Sequence, residues 1–221
     1  VTQRPTRDVR DARLAYQAEI AATDLAFGTL VRRAAIEKPR GLTTIVLADH
    51  GESLTEHDAY FRHGEDLYDP SLRIPLIVAG PGFTASTISP AIAVTTDVAA
   101  MIARSASPEG PAADDAGSVH FAALSESTSA AVHYTPRKVY AVRTWSHKLI
   151  EGADDDSREL YDLLDDPGEA HDLSAGRGDV VAGLDPLVAA YKAGSTTPER
   201  AVDMDPETRA KLCALGYIPC E

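Results

Sequence analysis

Residues 44–82 read TIVLADHGESLTEHDAYFRHGEDLYDPSLRIPLIVAGPG, and this stretch decides the fold. A short apolar run, Ile45-Val46-Leu47, ends in Asp49-His50-Gly51-Glu52. A polar loop carrying further histidines follows, and then a second apolar run, Pro75 to Ala79, closed by Gly80-Pro81-Gly82. Neither run alternates with polar residues, which is the pattern of strands covered on both faces. A carboxylate and an imidazole at the C-terminal end of such a strand sit where open α/β sheets place their ligands.

Upstream, Arg10 to Lys38 reads as a helix, with Tyr16, Ile20, Phe27 and Val31 on one stripe and alanine filling much of the rest. Pro39 and Gly41 end it. Asp24 lies on that stripe, so a buried carboxylate bonded to a neighbouring loop is expected, a metal role being the other reading. Helix followed by buried strand is the rhythm of a doubly wound sheet. Ile88 to Val94 reads as a short third strand, and Thr96 to Ser105 as a helix capped by Thr95 or Thr96 with Asp97 in its first turn.

The rhythm changes after a Pro-, Ala- and Gly-rich linker at 107–117. Val119–Leu124, Lys138–Trp145, His147–Glu151 and Arg158–Leu163 are short strand-like runs, and Val180–Lys192 is a final amphipathic helix. The expected fold class is α/β: part of a doubly wound mixed sheet flanked by helices over 1–106, plus a small C-terminal antiparallel sheet packed with a helix over 107–221. The acidic turn Asp154-Asp155-Asp156 reads as a solvated hairpin loop, with a calcium site as the alternative.

Totals narrow the function classes. A chain of 221 residues with 44% hydrophobic content can bury a sizeable core. A formal charge of −13 argues against nonspecific binding of nucleic acid, and no apolar run is long enough to span a membrane. Cys213 and Cys220 could pair across a turn or be incidental, and neither has a base nearby in sequence. The chain begins at Val1 rather than Met, which suggests a piece of something longer.

By themselves Asp49 and His50 admit two readings: ligands of a cation, or an aspartate capping a loop beside a hydrogen-bonded histidine. Gly51 permits a tight bend after them, and Glu52 reads as a helix-start carboxylate or a partner orienting His50. His57 reads as a solvated loop histidine, and Arg73 as the partner of a carboxylate near the strand. Arg143, His147 and Lys148 fit either substrate selection or alternating charge on a strand's solvent face. His120, His133 and His171 show no partner pattern.

Several segments in order resemble the sulfatase branch of the alkaline phosphatase superfamily. They are Tyr16 to Asp24; Ala48-Asp49-His50-Gly51-Glu52; Leu67 to Leu76; Val142-Arg143-Thr144 with His147 to Ile150; Glu159 to Leu163 with Asp166 to Glu169; and Asp205 to Tyr217. The resemblance implies that Asp49 and His50 are metal ligands. It also implies a basic residue about a dozen positions later on the sulfate and the leaving oxygen, where Arg62 and His63 stand. We expect His63 to be the leaving-group acid and Arg62 the substrate contact, since imidazole can donate a proton near neutral pH and guanidinium forks onto oxyanions. Calcium is the implied ion, with manganese or zinc left open by the imidazole.

The family's nucleophile, a formylglycine made from cysteine or serine in Cys/Ser-x-Pro-x-Arg, has no counterpart in this sequence, nor do its first aspartates. Both are expected in a missing N-terminal half, so this chain alone is expected to be inactive. Its expected partners are that half or a second copy, and a sulfated small molecule or glycan as substrate. The resemblance leans towards an extracytoplasmic location. A phosphonate monoester or phosphodiester hydrolase of the same superfamily, and a non-catalytic module on the same scaffold, are the competing readings.

Overall fold

The structure, a computed structural model, describes residues 6–38, 41–64, 66–81, 83, 86–89, 91–106, 122–128, 138–153, 155–194 and 206. In chain order its elements are α1 (Thr6–Glu37), β1 (Thr44–Leu47), α2 (Asp69–Leu72), β2 (Leu76–Ala79), α3 (Asp97–Ser105), β3 (Ala123–Thr128), β4 (Lys138–Arg143), β5 (His147–Gly152), β6 (Arg158–Asp162) and α4 (Gly178–Gly194). They fall into two compact units, Val1–Arg62 with Arg73–His120, and His63–Leu72 with Phe121–Glu221.

In the first unit β1 and β2 pair antiparallel, Thr44 opposite Ala79 and Leu47 opposite Leu76. Gly80 ends β2 with φ +155, and a Cβ there would lie 2.8 Å from the Thr43 Cα, so the close passage of the two chains requires glycine. β2 alternates, with Leu76 and Val78 half-buried and Ile77 58% exposed. The run without alternation predicted cover on both faces, yet within this unit one face stays open. Along α1, Tyr16, Phe27 and Val31 are half-buried, but Ile20 is 55% exposed and Asp24 is exposed. Asp24 is therefore not the buried carboxylate expected; in water it keeps its hydration and needs no loop partner.

Among the described residues of 88–94 there is no strand longer than an isolated bridge. There the Ser89 hydroxyl accepts the Ala91 N–H, a local bond that competes with a ladder. At the start of α3, Asp97 rather than Thr95 or Thr96 ties down the entering chain, its carboxylate accepting the Val94 N–H at 2.9 Å.

The second unit is the antiparallel sheet β3-β4-β5-β6. Period-two alternation divides its side chains between two buried faces. On one, Tyr140, Val142, Leu149 and Leu160 pack against Val181, Leu184 and Val188 of α4. On the other, Val139, Ala141, Ile150 and Tyr161 pack against Leu67, with Tyr68 and Leu72 beside them. The segment before β2 thus supplies the second cover of a sheet that begins fifty residues later. Tyr68 and Tyr161 both donate to Glu159 Oε2, at 2.6 and 2.8 Å, which fixes that segment to β6.

Candidate active site

β1 delivers Asp49 and His50 just past its last residue. Asp49 Oδ1 accepts the His50 N–H at 3.0 Å, which turns the carboxylate back along the bend. The His50 ring donates from Nδ1 to the Gly51 carbonyl at 2.7 Å. That bond puts a proton on Nδ1, the arrangement by which backbone carbonyls orient metal-binding histidines. Nε2 lies 3.8 Å from Asp49 Oδ2, and the side chains are 37% and 82% exposed. One divalent cation can touch two donors at that separation. The donor set fits such an ion as two of its ligands, and among the described residues no group of three or more His, Cys, Asp or Glu could complete it.

The loop after this pair is closed at its base. Ser53 and Arg62 exchange two backbone hydrogen bonds, of 2.9 and 3.1 Å, and Ser53 is fully buried. Arg62 is thereby held through its backbone to Ser53, which lies three residues after His50. Inside, Glu56 Oε2 accepts the N–H groups of Leu54 and Thr55 at 2.7 and 2.8 Å, and Arg13 of α1 reaches Thr55 Oγ1 and, at 3.5 Å, Glu56 Oε1. Burial pushes the Glu56 carboxyl up, but the backbone N–H groups and the Arg13 charge outweigh it and hold the group below the usual range. It is Glu56, to which the sequence pattern assigns no role, that makes these bonds. His57 is half-buried at φ 52, not the solvated loop histidine expected. His63 is exposed and opens the second unit, while Arg62 closes a segment of the first. Arg73 is exposed.

Lys148 and Arg143 of the small sheet are turned onto buried carboxylates rather than out to solvent. Lys148 is fully buried, its Nζ 2.5 Å from Asp69 Oδ1, 2.6 Å from Glu169 Oε1 and 3.2 Å from the Leu67 carbonyl oxygen. Three acceptors match the three protons of an ammonium. Arg143 forks onto Asp69 at 3.1 and 3.0 Å, and Glu169 Oε2 accepts the Asp69 N–H at 2.6 Å. Burial raises the Asp69 carboxyl, yet the Arg143 hydrogen bonds and the Lys148 charge prevail and hold it below the usual range. The solvent-face reading of Arg143 and Lys148 fails because both faces of this sheet are covered, so charge there has to be paired. His147 is half-buried, with Nδ1 2.8 Å from Ser146 Oγ. Asp155 turns into its own loop, accepting from the Ser157 hydroxyl at 2.6 Å. Cys213, Cys220, His120 and His133 lie outside the described residues.

The helices and two antiparallel sheets define a mixed α/β protein whose candidate site follows the end of a strand. Residues 2–106 match the family model for sulfatases. Arylsulfatase K from Rattus norvegicus is 26% identical over 200 residues, covering 80% of this chain and 34% of the relative. The structure of a 2-O GAG sulfatase matches with TM-score 0.60 and 24% identity, over 76% of this chain and 40% of that one. A second structure, solved with its substrate D-glucosamine-2-N,6-O-disulfate, matches with TM-score 0.52 and 22% identity, over 69% and 33% of the two chains. The chain is thus similar to sulfatases in sequence and in fold, and it spans about a third of the length of the curated relative it matches.

Proposed function

We propose that the chain contributes the metal-binding and leaving-group side of a site that hydrolyses a sulfate monoester, with a sulfated sugar as the substrate class. The observation that carries this is the Asp49–His50 pair, its Nε2 and Oδ2 3.8 Å apart and its Nδ1 proton engaged on Gly51. The match of residues 2–106 to the sulfatase family model and a substrate-bound sulfatase structure of similar fold support it. A divalent cation bound there, calcium first and manganese or zinc next, would draw off negative charge from the sulfate oxygens. Arg62 binds the sulfate through its planar fork. His63 gives its proton to the ester oxygen as the S–O bond breaks, so the alcohol leaves neutral. The nucleophile, a formylglycine in this reading, comes from outside these residues, because the sequence holds no Cys or Ser in the required x-Pro-x-Arg setting.

The missing motif also favours a second reading, a non-catalytic module on the sulfatase scaffold. One titration separates the two. Calorimetry with calcium and with manganese should show weak binding, about millimolar for a partial shell, that Asp49→Asn and His50→Ala each abolish. Binding indifferent to both substitutions, or none by the unaltered chain, would retire the metal-site reading in favour of the module.

A further inference from the structure

The loop between the metal pair and Arg62 is strained and yet closed. His57, Asp58 and Phe61 are non-glycine residues at φ 52, 58 and 51, a left-handed conformation that such side chains adopt at a cost. Backbone of this kind persists only where its surroundings impose it. Two features do so here. The Ser53–Arg62 bridge shuts the base, with both bonds made by main-chain atoms and with Ser53 wholly buried. Above it a single carboxylate, Glu56, gathers two successive N–H groups and a guanidinium from α1. Without Glu56, the Leu54 and Thr55 N–H groups lose their short charge-assisted bonds, and Arg13 loses one of its two anchors on the loop.

We propose that Glu56 is a positioning residue: it holds the closed 53–62 loop in its strained shape and so presents Arg62 to an oxyanion. This rests on the reading of Arg62 as the sulfate contact. Glu56 touches neither the metal pair nor Arg62 in any contact described above; it acts through the backbone of the loop. An arginine on a slack loop spends part of its binding free energy on ordering that loop, which a preformed loop avoids.

The test uses the full chain and two readouts, amide hydrogen exchange by NMR and titration with inorganic sulfate. Glu56→Ala should speed exchange at Ser53 and Arg62 by about tenfold or more, leave the β1–β2 ladder amides protected, and weaken sulfate binding about tenfold. Arg62→Ala should weaken sulfate binding at least as much while leaving Ser53 protected by the backbone bridge. Glu56→Gln, which keeps an acceptor, should fall between wild type and Glu56→Ala on both readouts. Unchanged exchange at Ser53 and Arg62 in Glu56→Ala overturns the proposal. So does faster exchange with sulfate affinity intact, provided Arg62→Ala lowers it. Sulfate affinity untouched by Arg62→Ala refutes the substrate-contact reading itself, and the presentation of Arg62 falls with it. If Glu56→Ala also strips protection from the β1–β2 ladder, Glu56→Gln decides by the same two readouts.

Discussion

Lys148 Nζ lies 2.6 Å from Glu169 Oε1, and neither side chain is exposed. With Asp69 and Arg143 they make a network of two cations and two carboxylates that clamps α2 and the 166–169 turn to the sheet. Burying charge is costly, and such a network need not be more stable than an apolar core of the same shape. Its asymmetry is what matters. Removing one partner strands the rest in a medium that cannot solvate them.

Lys148→Met is therefore expected to cost about 3–5 kcal/mol, the range for breaking a buried pair. The protein's single tryptophan, Trp145, sits in the β4–β5 turn of the same unit and reports its unfolding by fluorescence in urea. Adding Glu169→Met to Lys148→Met should recover part of the loss, because it removes one stranded carboxylate. A single-variant cost below about 1 kcal/mol would show the network to be no stronger than a surface pair.

The same cluster sets a pH dependence. The Asp69 carboxyl is held below the ordinary aspartate range in the folded chain: burial raises it, and Arg143 with Lys148 lowers it further. A depressed carboxyl contributes stability that is complete above the unfolded value and is lost as pH falls through the folded one. The second unit should thus lose stability in acid below the ordinary aspartate range. Asp166 and Asp172 share the direction, since burial raises each and backbone N–H donors overcome it. Asp69→Asn should flatten the acid limb of stability against pH without abolishing it. An acid limb identical in that variant would remove Asp69 from the account.

The strand-loop-strand core was legible because its signals are local: an apolar run, a strand-end Asp-His, a glycine at the bend. The antiparallel β3–β6 order was legible for the same reason, from short runs and turn-forming separators. Three things were not. His63–Leu72 joins the later sheet through contacts far apart in sequence, and no local pattern announces them. Lys148 read equally as a substrate-selecting or a solvent-face charge, because alternation cannot show that a second cover lies over that face. Glu56 was passed over because a carboxylate that binds neighbouring N–H groups has the same sequence as one in water.

Leaving-group chemistry gives the next test. A proton donor matters in proportion to the basicity of the departing oxygen, and its removal typically costs 10²–10⁴-fold where the leaving group is poor. In a preparation that also supplies the nucleophile, His63→Ala should, if His63 is the proposed proton donor, lose about that factor on a sugar sulfate and much less on nitrophenyl sulfate, whose phenolate leaves unaided. Equal losses on both would assign His63 to sulfate binding or to structure. Arg62→Ala should instead weaken both substrates alike, chiefly in KM, if it contacts the group they share as proposed.

The first unit leaves apolar surface uncovered, and that surface is ordered. Leu14, Leu25 and Ile36 on α1 are 53%, 70% and 80% exposed. They recur every eleven residues, close to three helical turns, so they line up on one face. Ile20 and Leu30 add 55% and 65% exposure elsewhere on the helix, and Ile77 on β2 adds 58%. Aligned leucines and isoleucines left in water favour association, each buried side chain contributing about 1.5–3 kcal/mol before the entropy of docking is subtracted. We expect the chain to self-associate through this helix face. Light scattering behind size exclusion should give a mass above one chain that falls on dilution. Leu25→Lys with Ile36→Lys should shift it to the monomer without loss of the Trp145 unfolding transition, since that tryptophan belongs to the other unit. A concentration-independent monomer for the unaltered chain would sink this prediction, and would mean that the stripe is tolerated in water.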